Sequence, residues 1–171
     1  MSTDDAAKPP YLGLLNAIAI AERNAGCYLT TWADTTPDQE LKQALRLVAA
    51  REATHGEVFR QRIERLGFSV LDKDDPKLAE RLRVYGDPAL SDAQKITAFR
   101  RSPAEEAGVD QFFASLDERV ADESVDALTR DTLRWYVHEE RDSRDVLRAA
   151  YARVEDGGRG EEGRAPESWR D

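Results

Sequence analysis

Apolar residues recur at spacings of three and four along most of this chain, the pattern of helices that each bury one face. The longest clean run predicts a helix over 36–67, with Leu41, Leu45, Val48, Glu52, His55, Phe59, Ile63 and Leu66 on one stripe. Before it, 11–34 reads as a helix whose inner side carries Leu15, Ile18, Glu22, Ala25, Leu29 and Trp32. A third helix is expected over 103–120, with Glu106, Val109 or Asp110, Phe113, Leu116 and Val120 inward. The fourth, over 125–154, has Leu128, Thr132, Leu133, Tyr136, Glu140, Ser143, Leu147, Tyr151 and Val154 as its stripe. Every stripe has an acid near its middle, where an apolar residue would ordinarily sit.

The links between these segments set the topology. Thr36 reads as an N-cap with Pro37 at the first helical position, so helix two follows helix one after a very short turn and returns antiparallel. Asp122-Glu123-Ser124 implies the same for helices three and four. Gly67 suits the residue just past a helix C-terminus. From Phe68 to Ser102 the pattern weakens: a short helix is expected over 76–84, a turn at Gly86-Asp87-Pro88, and another helix from Ser91 to Arg101. A helix of this length spans about 40 Å, so a linker this long suits a crossover that starts helix three at the far end. Whether 91–101 belongs to that crossover or begins a kinked third helix is open. The fold class expected is all-α, a four-helix bundle with a long crossover between helices two and three. It would occupy 11–155, between a flexible arm (1–10) and a flexible glycine-rich tail (156–171) that ends near Trp169.

Composition narrows the partners. At 171 residues the chain is one domain, large enough to fold on a hydrophobic core without staples. Its 34 acidic and 25 basic residues give a net charge of −9, a field that repels nucleic acid and anionic membranes; a DNA-protecting cage fits it poorly. No run is apolar enough to span a bilayer, and the acidic start is unlike a secretory leader, so a cytoplasmic location is expected. Cys27 is the single cysteine, which excludes an intrachain disulfide framework and multi-cysteine metal sites; it reads as a small core filler.

The mid-stripe acids carry the candidate chemistry. Glu52 follows Glu22 by 30 residues and Glu140 follows Asp110 by 30, and midpoints of antiparallel helices meet at one level. Glu22, Glu52, Asp110 and Glu140 are therefore expected to converge, with His55 one turn along. Carboxylates crowded in a dry core repel one another unless protons or cations intervene. Two divalent cations would balance four such charges, and an imidazole nitrogen suits iron. His138 falls on a solvated flank, whereas Tyr28, Trp32, Trp135 and Tyr136 read as core or interface aromatics.

The order Glu, Glu-x-x-His, crossover, acid, Glu-x-x-polar resembles the ferritin-like superfamily, in particular its rubrerythrin-like and small bacterial ferritin-like domain proteins. Ala49-Ala50-Arg51-Glu52-Ala53-Thr54-His55 resembles the helix-two motif of that family. Leu133 to Ser143 resembles the helix-four motif, with Glu140 at the carboxylate position and Ser143 where a second histidine is usual. The resemblance implies two irons, or manganese in their place, bridged by Glu52 and Glu140, with Glu22 and Asp110 as terminal ligands and His55 on one metal. Glu106 is the alternative on helix three, and Glu139 with Asp142 a second register on helix four. It further implies a non-haem di-iron oxidoreductase, if an enzyme, acting on dioxygen, peroxide or ferrous iron, in a homodimer or larger homo-oligomer. A rubredoxin-like four-cysteine module is absent from the sequence. The competing expectation is a metal-free bundle with a structural or binding role, in which Arg51, Arg141 and Arg144 fold inward to neutralise the acids.

Overall fold

The computed structural model describes residues 8–162, with side chains described through residue 157. These residues are all-α: α1 Leu12–Thr35, α2 Gln39–Arg65, α3 Pro76–Gly86, α4 Asp92–Ala98, α5 Pro103–Ala121 and α6 Ala127–Glu162, with no strand among them. None of the helices is long and apolar enough to cross a membrane.

The helices start and stop where local chemistry dictates, with one shift. Asp38 rather than Thr36 caps α2, its side chain accepting the Leu41 amide, while Thr36 Oγ1 accepts the Asp38 amide at 3.2 Å and donates to Asp92 Oδ2 at 2.7 Å. At the other end of α2, Gly67 adopts φ +87° and the Phe68 amide reaches back to the Ile63 carbonyl, the hydrogen bonding of a Schellman C-terminus. Ser91 and Ser102 each form a capping box, with Gln94 and Glu105 respectively. The two boxes make α4 and α5 separate helices, which resolves the position of 91–101: it belongs to the crossover. The last helix runs on to Glu162, past the end expected at Val154. Once nucleated, a helix extends by one hydrogen bond per residue, so Gly157 and Gly158 weaken it without stopping it. The rest of the expected tail, Trp169 included, and residues 1–7 of the expected arm lie outside the described residues.

Contacts between helices run in opposite senses along the chain. In α1 and α2, Ala19 and Arg23 lie beside Gly56, and Gly26 beside Ala49 and Ala53, so the pair is antiparallel. In α2 and α6, Arg62 meets Asp126, His55 meets Glu139 and Arg51 meets Asp142. In α5 and α6, Asp117 meets Arg141 and Glu106 meets Arg144. The crossover spans the molecule from the Arg62–Asp126 end to the Arg100–Glu155 end. Along the way the Asn16 side chain bonds both backbone groups of Leu71, and the buried Lys95 donates to Thr35 Oγ1 and the Tyr85 carbonyl.

The core has three layers along the helix axes. One apolar cluster holds Leu15, Ile18, Phe59, Ile63, Leu116, Val125 and Leu133. The other holds Leu29, Trp32, Leu41, Leu45 and Val48, with Leu147 and Tyr151 against it. Between them, at the same height on three helices, sit Glu22, Glu52, His55, Glu140 and Ser143. Rigid apolar slabs above and below thus fix the height of a thin polar layer.

Candidate metal centre

The polar layer follows from helix periodicity. Glu22 lies between Ile18 and Leu29 on the inner face of α1; Glu52 and His55 lie between Val48 and Phe59 on α2; Glu140 follows Tyr136 by one turn on α6. Side chains at i, i+3 and i+4 share a face, so burying the apolar stripe buries these groups too. Glu22 and Glu52 are each 6 % exposed, and His55 is fully buried.

One donor atom from each of Glu22, Glu52, His55 and Glu140 lies within 4.8 Å of every other. His55 Nδ1 stands 3.2 Å from Glu140 Oε1 and 3.6 Å from Glu22 Oε2. Its other nitrogen, Nε2, faces Glu139 Oε2 at 3.4 Å. These are charge contacts without hydrogen-bond alignment: Glu22 Oε2, Glu140 Oε1 and both His55 nitrogens are buried with no hydrogen-bond partner. The second oxygen of Glu22 is the exception, accepting from the Tyr136 hydroxyl at 2.8 Å. Trp135 and Tyr136 hold the imidazole edgewise, with ring centroids 4.9 and 5.2 Å away.

Protons answer part of this crowding. Burial, together with the carboxylates of Glu22 and Glu140, pushes Glu52 up to about 11, so it holds a proton. Burial also raises Glu140, against the opposing pull of His55. For Glu22, burial works upward but is outweighed by His55, Glu52 and Tyr136, leaving it below its usual range. Burial would lower His55, yet the facing Glu140 and Glu22 carry it up to about 9. The Tyr136 hydroxyl is raised by burial and by the same carboxylates, and so remains a donor.

The donor set fits a cation. Unpaired buried oxygens and an unpaired imidazole nitrogen aimed at one volume carry a desolvation penalty of about 1–3 kcal/mol each, which a bound ion relieves. Carboxylate and imidazole together suit iron, manganese or zinc better than a hard alkaline-earth ion. Glu139 sits where an outer carboxylate holds a ligating histidine, since a proton on Nε2 leaves the Nδ1 lone pair free.

Of the five expected site residues the structure brings together four. Asp110 is not among them: it is exposed on α5 and accepts from Arg144 Nη1 at 2.7 Å. The cause is helical phase. The buried line of α5 runs through Phe113 and Leu116, and Asp110 projects roughly a quarter turn away from it. The alternative, Glu106, is also held by Arg144, at 2.7 Å. Arg51 bonds Asp142 and reaches Ser143 Oγ at 3.3 Å, and Arg141 bonds Asp117. The three arginines therefore engage other groups and do not enter the acid cluster. Ser143 is buried and contributes no ligand atom to the cluster.

Other sequence expectations are settled by the same geometry. His138 is exposed. Cys27, expected as a core filler, is exposed as well, because it lies five residues past Glu22 and so on the outer side of α1. Leu128 is 48 % exposed, and its place inside is taken by Val125 and Thr129. Two contributors were visible in the sequence only as other things: Tyr136 as a core aromatic and Glu139 as an alternative register. Their offsets of four and one from Glu140 were the available signal.

No family model matches the chain, and neither a curated protein nor a solved structure shows significant similarity to it.

Proposed function

We propose that this chain is a ferritin-like four-helix metalloprotein whose centre, built from Glu22, Glu52, His55 and Glu140, takes iron or manganese and reacts with dioxygen, peroxide or ferrous iron. The observation that carries the reading is the convergence of four buried donors within 4.8 Å, three of them with an atom that no protein group satisfies. The antiparallel α1–α2 and α5–α6 pairs, joined by a crossover that spans their length, support the bundle topology.

When bound, iron or manganese supplies the one-electron redox chemistry that carboxylate and imidazole side chains lack. The protein's part is to prepare and guard the site. Tyr136 pins one oxygen of Glu22 and leaves the other free. Glu139 orients His55 so that Nδ1 faces the acids. The apolar clusters on either side exclude water along the helix axes. The side chains of Glu139 and Glu140 are 32 % and 17 % exposed, so a small ion or oxidant approaches past α6.

The test is metal content. Protein made in iron- and manganese-replete medium is expected to retain metal through desalting, with retention lost in Glu52→Ala and His55→Ala. The metal-loaded protein should consume peroxide or oxidise ferrous iron faster than either variant. Wild type that carries no metal, and whose melting is unchanged by a chelator, would leave a bundle with a purely structural or binding role.

A further inference from the structure

The geometry points to a centre that holds one metal ion per chain, not the pair that the ferritin-like resemblance implies; this rests on the proposed metal-binding role of the Glu22, Glu52, His55 and Glu140 cluster.

Three observations carry it. The first is size. Ligand atoms sit about 2.0–2.2 Å from a first-row divalent metal, so donors on opposite sides of one ion are roughly 4.2 Å apart. One donor atom from each of the four residues lies within 4.8 Å of the others, a set that closes onto one ion with a shift of about half an ångström.

The second is the donor supply. A second ion needs its own terminal ligands beyond any bridging carboxylate. The acids that could come from α5 are engaged elsewhere: Asp110 and Glu106 both clamp Arg144, each at 2.7 Å. Where α6 would provide an imidazole it has Ser143, a weak neutral ligand that already meets the Arg51 guanidinium. All four donors thus come from α1, α2 and α6, and α5 adds none to the cluster.

The third is that two of the ligands present a single atom each to the cluster. Glu22 Oε1 accepts from Tyr136, leaving Oε2 as its single free oxygen. His55 turns Nε2 toward Glu139 and offers only Nδ1 to the cluster. Guanidinium groups engage Ser143 and the α5 acids, and a phenol engages Glu22.

The experiment is a stoichiometric titration of the full-length, chelator-stripped protein with Mn(II) alone, read by elemental analysis after desalting and by electron paramagnetic resonance. The expected result is saturation at one Mn(II) per chain with the six-line spectrum of an isolated ion. Glu52→Gln and His55→Gln should abolish it while circular dichroism shows an unchanged helical fold. A Glu106→Gln/Asp110→Asn double variant should still bind one ion. Saturation at two per chain with an exchange-coupled spectrum overturns the single-ion inference and leaves the metal-binding reading standing. No retained ion in wild type overturns the reading itself. One ion that persists in the Glu52 and His55 variants places binding elsewhere and overturns both.

Discussion

Tyr136 on α6 donates its hydroxyl to Glu22 Oε1 on α1 at 2.8 Å, in a layer where the neighbouring oxygen of the same carboxylate has no partner. The bond gives one carboxylate two distinct atoms, one satisfied by the protein and one held open. Burial raises the phenol and keeps it protonated, so its role as donor persists across ordinary pH.

Tyr136→Phe removes that donor and little else. A buried carboxylate oxygen is left unpaired, with a penalty of about 1–3 kcal/mol, and Glu22 gains freedom to turn. The metal-free variant should unfold at lower urea than wild type, with an unchanged slope. Its Mn(II) affinity should fall roughly 10- to 100-fold, the usual effect of losing an outer partner of a ligand. Wild-type values on both measurements would show that the hydroxyl does not set the position of Glu22.

Glu139→Gln tests the imidazole in the same way. Glu139 is partly exposed and lies 3.4 Å from His55 Nε2. An amide keeps a polar oxygen beside Nε2 but no charge, and the contact is partly exposed, so stability should change by less than about 1 kcal/mol. Metal affinity, measured by competition with a chelator of known strength, should fall by roughly tenfold as the ligand becomes less basic. An unchanged affinity would make Glu139 a bystander.

How much of this was readable from residues alone depended on how thick each stripe was. On α1 and α2 the acids and His55 are flanked above and below by fully buried side chains such as Leu15, Trp32, Leu45 and Phe59, and on α6 Glu140 lies between the buried Leu133 and the half-buried Leu147, so periodicity alone places them inward. On α5 only Phe113 and Leu116 are buried, and two anchors leave the phase loose enough for Val109 and Asp110 to be exchanged. Competition between side chains was harder to read. Nothing local shows that Thr36 will donate to Asp92, or that Arg144 will gather both Glu106 and Asp110. Such choices depend on partners distant in sequence, which periodicity does not reach.

The protons in the polar layer give the metal-free protein a pH dependence of definite sign. His55 is held at about 9 against an ordinary value of 6.5, so the stability it adds is complete below pH 6.5 and lost as pH rises through 9. Glu52, at about 11 against 4.5, acts in the same direction, since the unfolded chain ionises it far more readily. Glu140 is raised as well and adds to the trend. Glu22 is lowered; its contribution is present above 4.5 and is lost only at more acid pH, outside this window. The melting temperature of chelator-treated protein should therefore fall between pH 6.5 and 9. Metal binding releases these protons and tightens over the same range, so the stabilisation gained on adding Mn(II) should grow with pH. A metal-free melting temperature that is flat or rising from pH 6.5 to 9 would mean the layer does not hold its protons as described.

The distance between the two helices that carry most of the site is set by glycine, which makes Gly56→Ala an informative substitution. A Cβ at Gly56 would meet the Arg23 amide nitrogen at 3.0 Å and the Ala19 carbonyl oxygen at 3.2 Å. Both are backbone atoms of α1 and cannot rotate aside. Intrinsic helix propensity favours the change by about 1 kcal/mol, whereas overfilling a close contact costs about 1–3 kcal/mol, so net destabilisation is expected. Relief comes from moving α1 away from α2 by a few tenths of an ångström, one residue from His55 and alongside Glu22. Metal affinity should therefore drop together with thermal stability, although no ligand has been altered. Gly13→Ala is the control: its Cβ meets nothing within 4 Å, and its stability should hold or rise. If Gly56→Ala melts above wild type and keeps full affinity, the contact has slack and the spacing of α1 and α2 does not govern the site.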